Sequence, residues 1–357
     1  MNRLDEINAK HDLLRGLLAE HQADALWLGH TRNVAWFTAG ADSSIPVDSD
    51  NGAYNILITA DKRVIYTDNI EVTRLRAEED FESLGFEFHE FPWYAREEPS
   101  VAHLISDSIA VIESQLQQFR VVLTPDEQER YRTLGRDAAA ALDEAIRAVR
   151  PGDTEFEMAA RLDAACRARG AVATVNLVAT DERISQFRHP LATFKRLEKY
   201  AMIVVCMRRG GMVVAGTRLA YIGSLPAEIA EKARKVAYID AAVMAATRPG
   251  RAHSAVFADL QAAYAAQGED GQWHNHHQGG PAGYASREWI VTPTDERVVQ
   301  AGSTYAWNPS IVGCKSEDTI LVNADGFEVV SAAPADWPVI PVEIGGQVIN
   351  RPGIIEL

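Results

Sequence analysis

Three histidines fall within four positions, His274, His276 and His277, ahead of a glycine-rich turn and an Arg287–Glu288 pair. Histidine is both the commonest metal ligand and the commonest general acid or base. The cluster therefore fits a metal site or an acid–base site, and the carboxylates supplied by the rest of the chain decide between them. A further histidine stands in Arg188-His189-Pro190. A neutral imidazole there can take a proton from water and return it to a leaving nitrogen near pH 7. Glu317 opens an apolar strand in Ser-Glu-Asp-Thr. A buried carboxylate without a partner is costly, and pairing with His277 would orient that imidazole. Asn308 offers one donor group and one acceptor.

The elements that must position these groups follow from pattern and punctuation. Residues 4–21 alternate charged and apolar positions at helical spacing, and strands are expected at 25–28, 54–58 and 64–67. Alternation of strands and helices to about residue 122 is the mark of an α/β unit. Thr124-Pro-Asp-Glu127 is a helix start: Thr124 caps, Pro125 suits the first position and Glu127 completes a capping box. This places a domain junction between 1–123 and 124–357.

The second part carries an internal repeat. Arg150-Pro-Gly152 recurs as Arg248-Pro-Gly250, 98 residues later, and each precedes an amphipathic helix ending at a glycine, Gly170 or Gly268. At the same offset Leu162 pairs with Leu260 and Ala165 with Ala263. A duplicated unit with a pseudo-two-fold axis is expected, with its site at the axis. Strands are expected at 173–177, 201–207, 212–217, 289–292, 304–308, 319–323 and 328–331, with hairpin turns at 208–211 and Asp325-Gly326. Helix pairs against a mostly antiparallel sheet give an α+β class.

At 357 residues, 47% hydrophobic and 24% charged, the chain has a sizeable core. A net charge of -15 argues against nucleic acid or an anionic membrane as partner. The N-terminus has no apolar signal-peptide core and no window approaches a membrane span, so a cytoplasmic protein is expected. Cys166, Cys206 and Cys314 are odd in number and widely spaced, as buried free thiols in a reducing compartment would be.

Several segments run in the order of a known family: Arg150-Pro-Gly-Asp-Thr-Glu155, Arg188-His-Pro190, Thr217-Arg218, His276-His-Gln-Gly-Gly280, Ala306-Trp-Asn-Pro309 and Ser316-Glu-Asp-Thr-Ile-Leu-Val322. Together they resemble the creatinase and methionine-aminopeptidase superfamily (M24 type), with its pita-bread fold. Arg32-Asn-Val-Ala-Trp-Phe-Thr-Ala-Gly40 is similar to a segment of the creatinase and prolidase N-terminal domain. The resemblance implies two divalent metals held by two Asp, one His and two Glu. Two close cations require bridging carboxylates to offset their charge. Carried over by position, the Asp pair falls on Val205 or Cys206 and on Ala215, the His on His277, and the Glu pair on Asn308 and Glu317. Every bridging Asp is missing. No cofactor is expected, apart from a weak mononuclear divalent ion on His277 and Glu317, with His276 or His274 adding a nitrogen.

The resemblance also assigns roles without a metal. In the creatinase branch the position of His189 is that of the acid–base group. His277, Glu288 and Glu317 would be its catalytic partners, with His276, Arg287, Asn308 and Arg32 binding substrate. Arg32 would reach a partner subunit's site in a homodimer. The glutamates that grip a guanidinium fall on Ala215 and Asn308, so creatine is not expected. Gly279, Gly280 and Gly283 would let backbone approach a ligand.

Three functions fit. The first is a metal-independent hydrolase or lyase of a C–N bond in a small amide-like metabolite. The second is a divergent Xaa-Pro dipeptidase or aminopeptidase with a rebuilt metal site, acting on a dipeptide-like substrate. The third is a non-catalytic peptide-binding module, a use known among histone-chaperone relatives of the fold.

Overall fold

The computed structural model describes residues 2–357. By contact density the chain divides into two units, 1–120 with 210–212, and 121–209 with 213–357. In the first unit, helix α1 (Arg3–Glu20) leads into a five-stranded sheet of β1 (Ala25–His30), β2 (Asn51–Ile58), β3 (Arg63–Asp68), β4 (Glu87–Phe91) and β5 (Leu104–Ser106). The order is β4-β3-β2-β1-β5, and the two outermost pairs are parallel. Helices α2 (Thr31–Phe37), α3 (Val72–Glu78) and α4 (Ala110–Arg120) connect them.

The second unit opens with α5 (Pro125–Arg147), whose capping box forms as expected: Thr124 Oγ1 accepts from Glu127 N, and Glu127 accepts from Thr124 N. Then follow α6 (Glu155–Ala168), β6 (Val172–Thr180), α7 (Glu182–Gln186), β7 (Tyr200–Arg209), β8 (Met212–Tyr221), α8 (Ala227–Ala246) and α9 (His253–Ala266). The repeat is real in three dimensions. Helices α6 and α9 are 14 residues each, at the 98-residue offset. Gly152 N donates to Leu197 O, and Gly250 N to Val299 O. Gly170 and Gly268 end the two helices at φ of +67° and +69°, a region glycine enters without a Cβ clash.

Each half carries a four-stranded sheet. One has the order β17-β8-β7-β6, with β17 at Ile355–Glu356, and the other is a sheet of four strands from the second half. The second is built from β9 (Gly279–Ala282), β10 (Thr304–Trp307), β13 (Asp318–Val322) and β14 (Phe327–Val329), with a small hairpin of β11 (Ser310–Ile311) and β12 (Cys314–Lys315) between β10 and β13. Side-chain and backbone bonds join β8 to β13: Ala215 N donates to Thr319 Oγ1, and Thr217 N to Glu317 O. Thus the centre of one half faces the centre of the other.

One sequence expectation needs correction. The strand expected at 289–292 is a loop, and its place in the sheet is taken by Gly-Gly-Pro-Ala at 279–282. Strand propensity points to Trp289-Ile-Val, but the sheet needs close approach: a Cβ on Gly279 would lie 2.2 Å from Ala306 O. That packing, at φ +102°, accounts for Gly279 without a ligand. Beyond residue 333 the structure adds a hairpin, β15 (Val339–Ile344) with β16 (Gln347–Pro352), and β17 (Ile355–Glu356), which pairs parallel to β8.

That C-terminal hairpin is fastened by charge. Arg351 donates to Asp240 on α8 and to Asp318 on β13, each at 2.8 Å. Arg218 on β8 donates to the other oxygen of Asp318 at 3.0 Å, and Ser316 and Ser331 hydroxyls complete the set. All four charged groups are buried. Burial pushes the Asp240 carboxyl up to about 6, against the pull of Arg351. Removing one partner of such a cluster leaves an uncompensated buried charge. Arg351→Ala is therefore expected to cost about 3–5 kcal/mol of stability, read as a lower urea midpoint, whereas charge-free changes on the exposed side chain of Val348 should be silent.

Candidate active site

Strand periodicity separates two neighbouring carboxylates. Asp318 points into the buried cluster just described, and Glu317 points the other way. Glu317 is 2% exposed and fully engaged. Its Oε1 accepts from Arg287 Nη2 at 2.8 Å, and its Oε2 from Thr217 Oγ1 at 2.8 Å and lies 2.8 Å from Lys315 Nζ. Burial alone would raise its pKa, but Lys315 and Arg287 overcome that and hold the carboxyl down at about 2. Glu317 is thus an anion whose partners are two cations. The expected pairing with His277 is not made, because Lys315 and Arg287 reach the carboxylate first.

The histidines gather on the other side of these cations. His189 Nε2 and His276 Nε2 are 2.8 Å apart. His277 stacks on His276, with ring centroids 4.4 Å apart. One ring nitrogen from each of the three lies within 4.8 Å of the others. The loop carrying His189 is anchored by Arg188, which donates to Ile311 O and to Gln272 Oε1. The 276–277 segment is anchored by buried Gln278, which donates to His276 O and accepts from Tyr264 OH.

All three imidazoles are neutral at pH 7, for a common reason. Burial, then Lys315 and the neighbouring rings, push His276 down to about 2. Burial, then Arg287, His189 and Lys315, push His277 down to about 4. His189 is lowered by burial, then by Lys315, with Glu317 opposing and Arg287 adding. Between two neutral rings a 2.8 Å contact needs one Nε2 to carry the proton and the other to receive it. The contact therefore fixes both tautomers: the donating ring leaves its Nδ1 bare and the receiving ring carries its proton on Nδ1.

The remaining expected residues divide. Asn308 is 3% exposed, and its Oδ1 has no protein partner among the described residues. Glu288 accepts from Tyr284 N at 3.1 Å, and Tyr284 OH donates to Glu127 at the start of α5. Its neighbour Arg287 turns instead to Glu317. His274 is exposed, stacked on Trp273, and stands outside the trio. Arg32 lies in the first unit, where it donates to Glu113 at 2.9 Å. Sequence reasoning missed Lys315. Its signal was its place two residues before Glu317, a cation close in sequence to a carboxylate that would need one.

A metal pair can be tested against this donor set. Cys206, rather than Val205, shares an apolar cluster with Ala215, Val213, Ala282 and Ala306, so the bridging positions present a thiol and methyl groups. Burial pushes the Cys206 thiol up to about 11, which keeps it neutral and a poor ligand. Of the remaining positions, Asn308 is uncharged and Glu317 is already paired with Lys315 and Arg287. Two divalent ions do not fit. A cleft of about 350 Å³ beside His276 and His277 is walled by Phe257, Trp273, Ile290 and Pro293. A larger cavity, about 1010 Å³, lies under the C-terminal hairpin and contains none of the histidines.

Residues 129–324 match metallopeptidase family M24, and residues 10–200 match the creatinase/prolidase N-terminal domain. The chain belongs to metallopeptidase family M24. This M24 chain has a mixed α+β fold, with a creatinase-type N-terminal domain and a pita-bread C-terminal domain. Its fold is similar to that of the prolidase from Pyrococcus horikoshii OT3, with a TM-score of 0.75 at 19% identity, covering 92% of this chain and 99% of that one. It is similar to the X-Pro aminopeptidase from Thermotoga maritima MSB8, with 0.74 at 18%, covering 97% and 99%. It is also similar to the N-terminal domain of the FACT complex subunit SPT16 from Cicer arietinum (chickpea), with 0.66 at 12%, covering 93% and 96%. No curated protein matches in sequence. No helix among the described residues is long and apolar enough to cross a membrane.

The lowered pKa values carry a stability consequence. Unfolded imidazoles take up a proton near 6.5, whereas folded His276 does not until about 2. Between those values the unfolded chain binds more protons, so stability falls as pH drops below 6.5. Glu317 adds in the same direction below 4.5. Urea unfolding at pH 7 and pH 5 is expected to show this loss, and His276→Gln should shrink the difference between the two pH values.

Proposed function

We propose that this M24 member is a hydrolase of a C–N bond in a small amide-like metabolite and works without a bound metal. One observation carries the reading: Glu317, at an inherited ligand position, is neutralised by Lys315 and Arg287. Neutral His189 acts as general base on water and returns the proton to the leaving nitrogen. His276, in contact at 2.8 Å, receives the Nε2–H of His189, which leaves the His189 Nδ1 free as the base; the positive charge gained from water rests on His189 until the leaving nitrogen takes the proton. His277 and Arg287 face the same space, and Asn308 Oδ1 is a free acceptor for a substrate N–H. Glu288 orders the glycine-rich turn through Tyr284 N.

Similarity to a prolidase and an X-Pro aminopeptidase favours a second reading, hydrolysis of a dipeptide with a metal on the three histidines. One assay set separates the two. N-acyl amino acids, carbamoyl compounds and Xaa-Pro dipeptides are offered to purified protein before and after exhaustive chelation. Turnover that survives chelation, with His189→Ala slower by about 10²–10⁴-fold, supports the first. Turnover lost on chelation and restored by manganese, cobalt or zinc overturns it in favour of the second. His189 must be neutral to act, so the rate should fall only below the ordinary imidazole range, since its pKa is lowered.

A further inference from the structure

From the placement of Lys315 we infer that its ammonium is the resident cation of this site, taking the electrostatic place of the divalent ions and keeping such ions out. The inference rests on the metal-free reading above, and it names the group that makes the site metal-free.

Lys315 is 6% exposed and lies 2.8 Å from Glu317 Oε2. Its backbone is held rigidly. Residues 310–315 form a tight hairpin in which Ser310 pairs with Lys315, and Tyr264 OH accepts from Ser310 N. Gly313 makes the turn at φ +90°, with a Cβ there only 3.0 Å from Ser185 Oγ. A long, flexible side chain is thereby aimed at one carboxylate oxygen. Arg287 takes the other oxygen and Thr217 adds a hydrogen bond, so both oxygens of Glu317 are committed.

Charge accounting at the cluster gives two cations against one carboxylate, with three neutral rings beside them. A divalent ion entering here would meet like charge at close range, where low polarity strengthens repulsion. It would also find no second carboxylate on the hairpin, where Cys206 and Ala215 face it. Lysine suits the role because its ammonium is a compact point charge that can sit where an ion would. It cannot bridge ligands as a divalent ion does, which agrees with the apolar replacement of the bridging positions.

The test is calorimetric titration of Mn²⁺, Co²⁺ and Zn²⁺, each alone, into the chelated full-length protein, its Lys315→Met variant and its Lys315→Arg variant. The wild type and Lys315→Arg should show no stoichiometric binding. Lys315→Met should bind at least one of the three metals tenfold or more tighter than the wild type, near one ion per chain. Adding Glu317→Gln should abolish that gain. Should Lys315→Met fail to fold, Lys315→Gln carries the same expectation. Tight stoichiometric binding by the wild type overturns the inference. Its loss in His276→Ala would then assign the three histidines as a metal centre. No gain on removing the ammonium also overturns it, since Lys315 would not be what excludes the ion. The titration needs no substrate, so absence of turnover in the hydrolysis assays would count against the hydrolase reading alone.

Discussion

A carboxylate inside a protein must be matched by charge and hydrogen bonds, and at the start of β13 two such carboxylates, Glu317 and Asp318, stand back to back. Asp318 is matched by Arg218 and Arg351, which tie β8, α8 and the C-terminal hairpin into one unit. Glu317 is matched by Lys315, Arg287 and Thr217, which tie the small hairpin, the glycine-rich turn and β8 to the site. Because successive strand residues face opposite ways, one dipeptide serves both the fastening of the domain and the chemistry of its centre. The histidine cluster depends on this arrangement. Partial desolvation and the cations that Glu317 holds in place lower the proton affinity of its rings, most of all at buried His276.

The chain keeps the pita-bread fold. A duplicated helix-and-sheet unit joins β8 of one half to β13 of the other, and packing as well as charge holds the halves together. The bridging positions show how: Cys206, Val213, Ala215, Ala282 and Ala306 pack against one another as a small apolar floor. That floor is ordinary core packing, and Glu317 belongs to a buried ion cluster. What remains open to solvent is a set of neutral nitrogens, His189 and His277 above all.

Much of the scaffold was legible because it depends on local rules. The capping box at Thr124, the repeated Arg-Pro-Gly turns and the glycines ending α6 and α9 are each decided by backbone dihedrals and neighbouring donors. The error at 289–292 has the opposite character. Trp289-Ile-Val has strand propensity, yet Gly-Gly-Pro-Ala takes the strand, because Ala306 O approaches too closely for any side chain at Gly279. Close approach between distant segments leaves no periodic trace.

The sequence alone determined that this chain carries a duplicated fold and that the carboxylates a metal pair requires are missing, since both follow from residue types in order. It also supplied His189, His276 and His277, although not their meeting. Only the tertiary structure decided which charge answers Glu317. Lys315 two residues away reads as an exposed strand face until burial is known. Arg287 reads as the partner of Glu288 until the turn at 279–287 carries it to Glu317 instead. Pairing of buried charges is set by which groups the fold brings within a few ångströms in a medium of low polarity, and adjacency along the chain does not encode that.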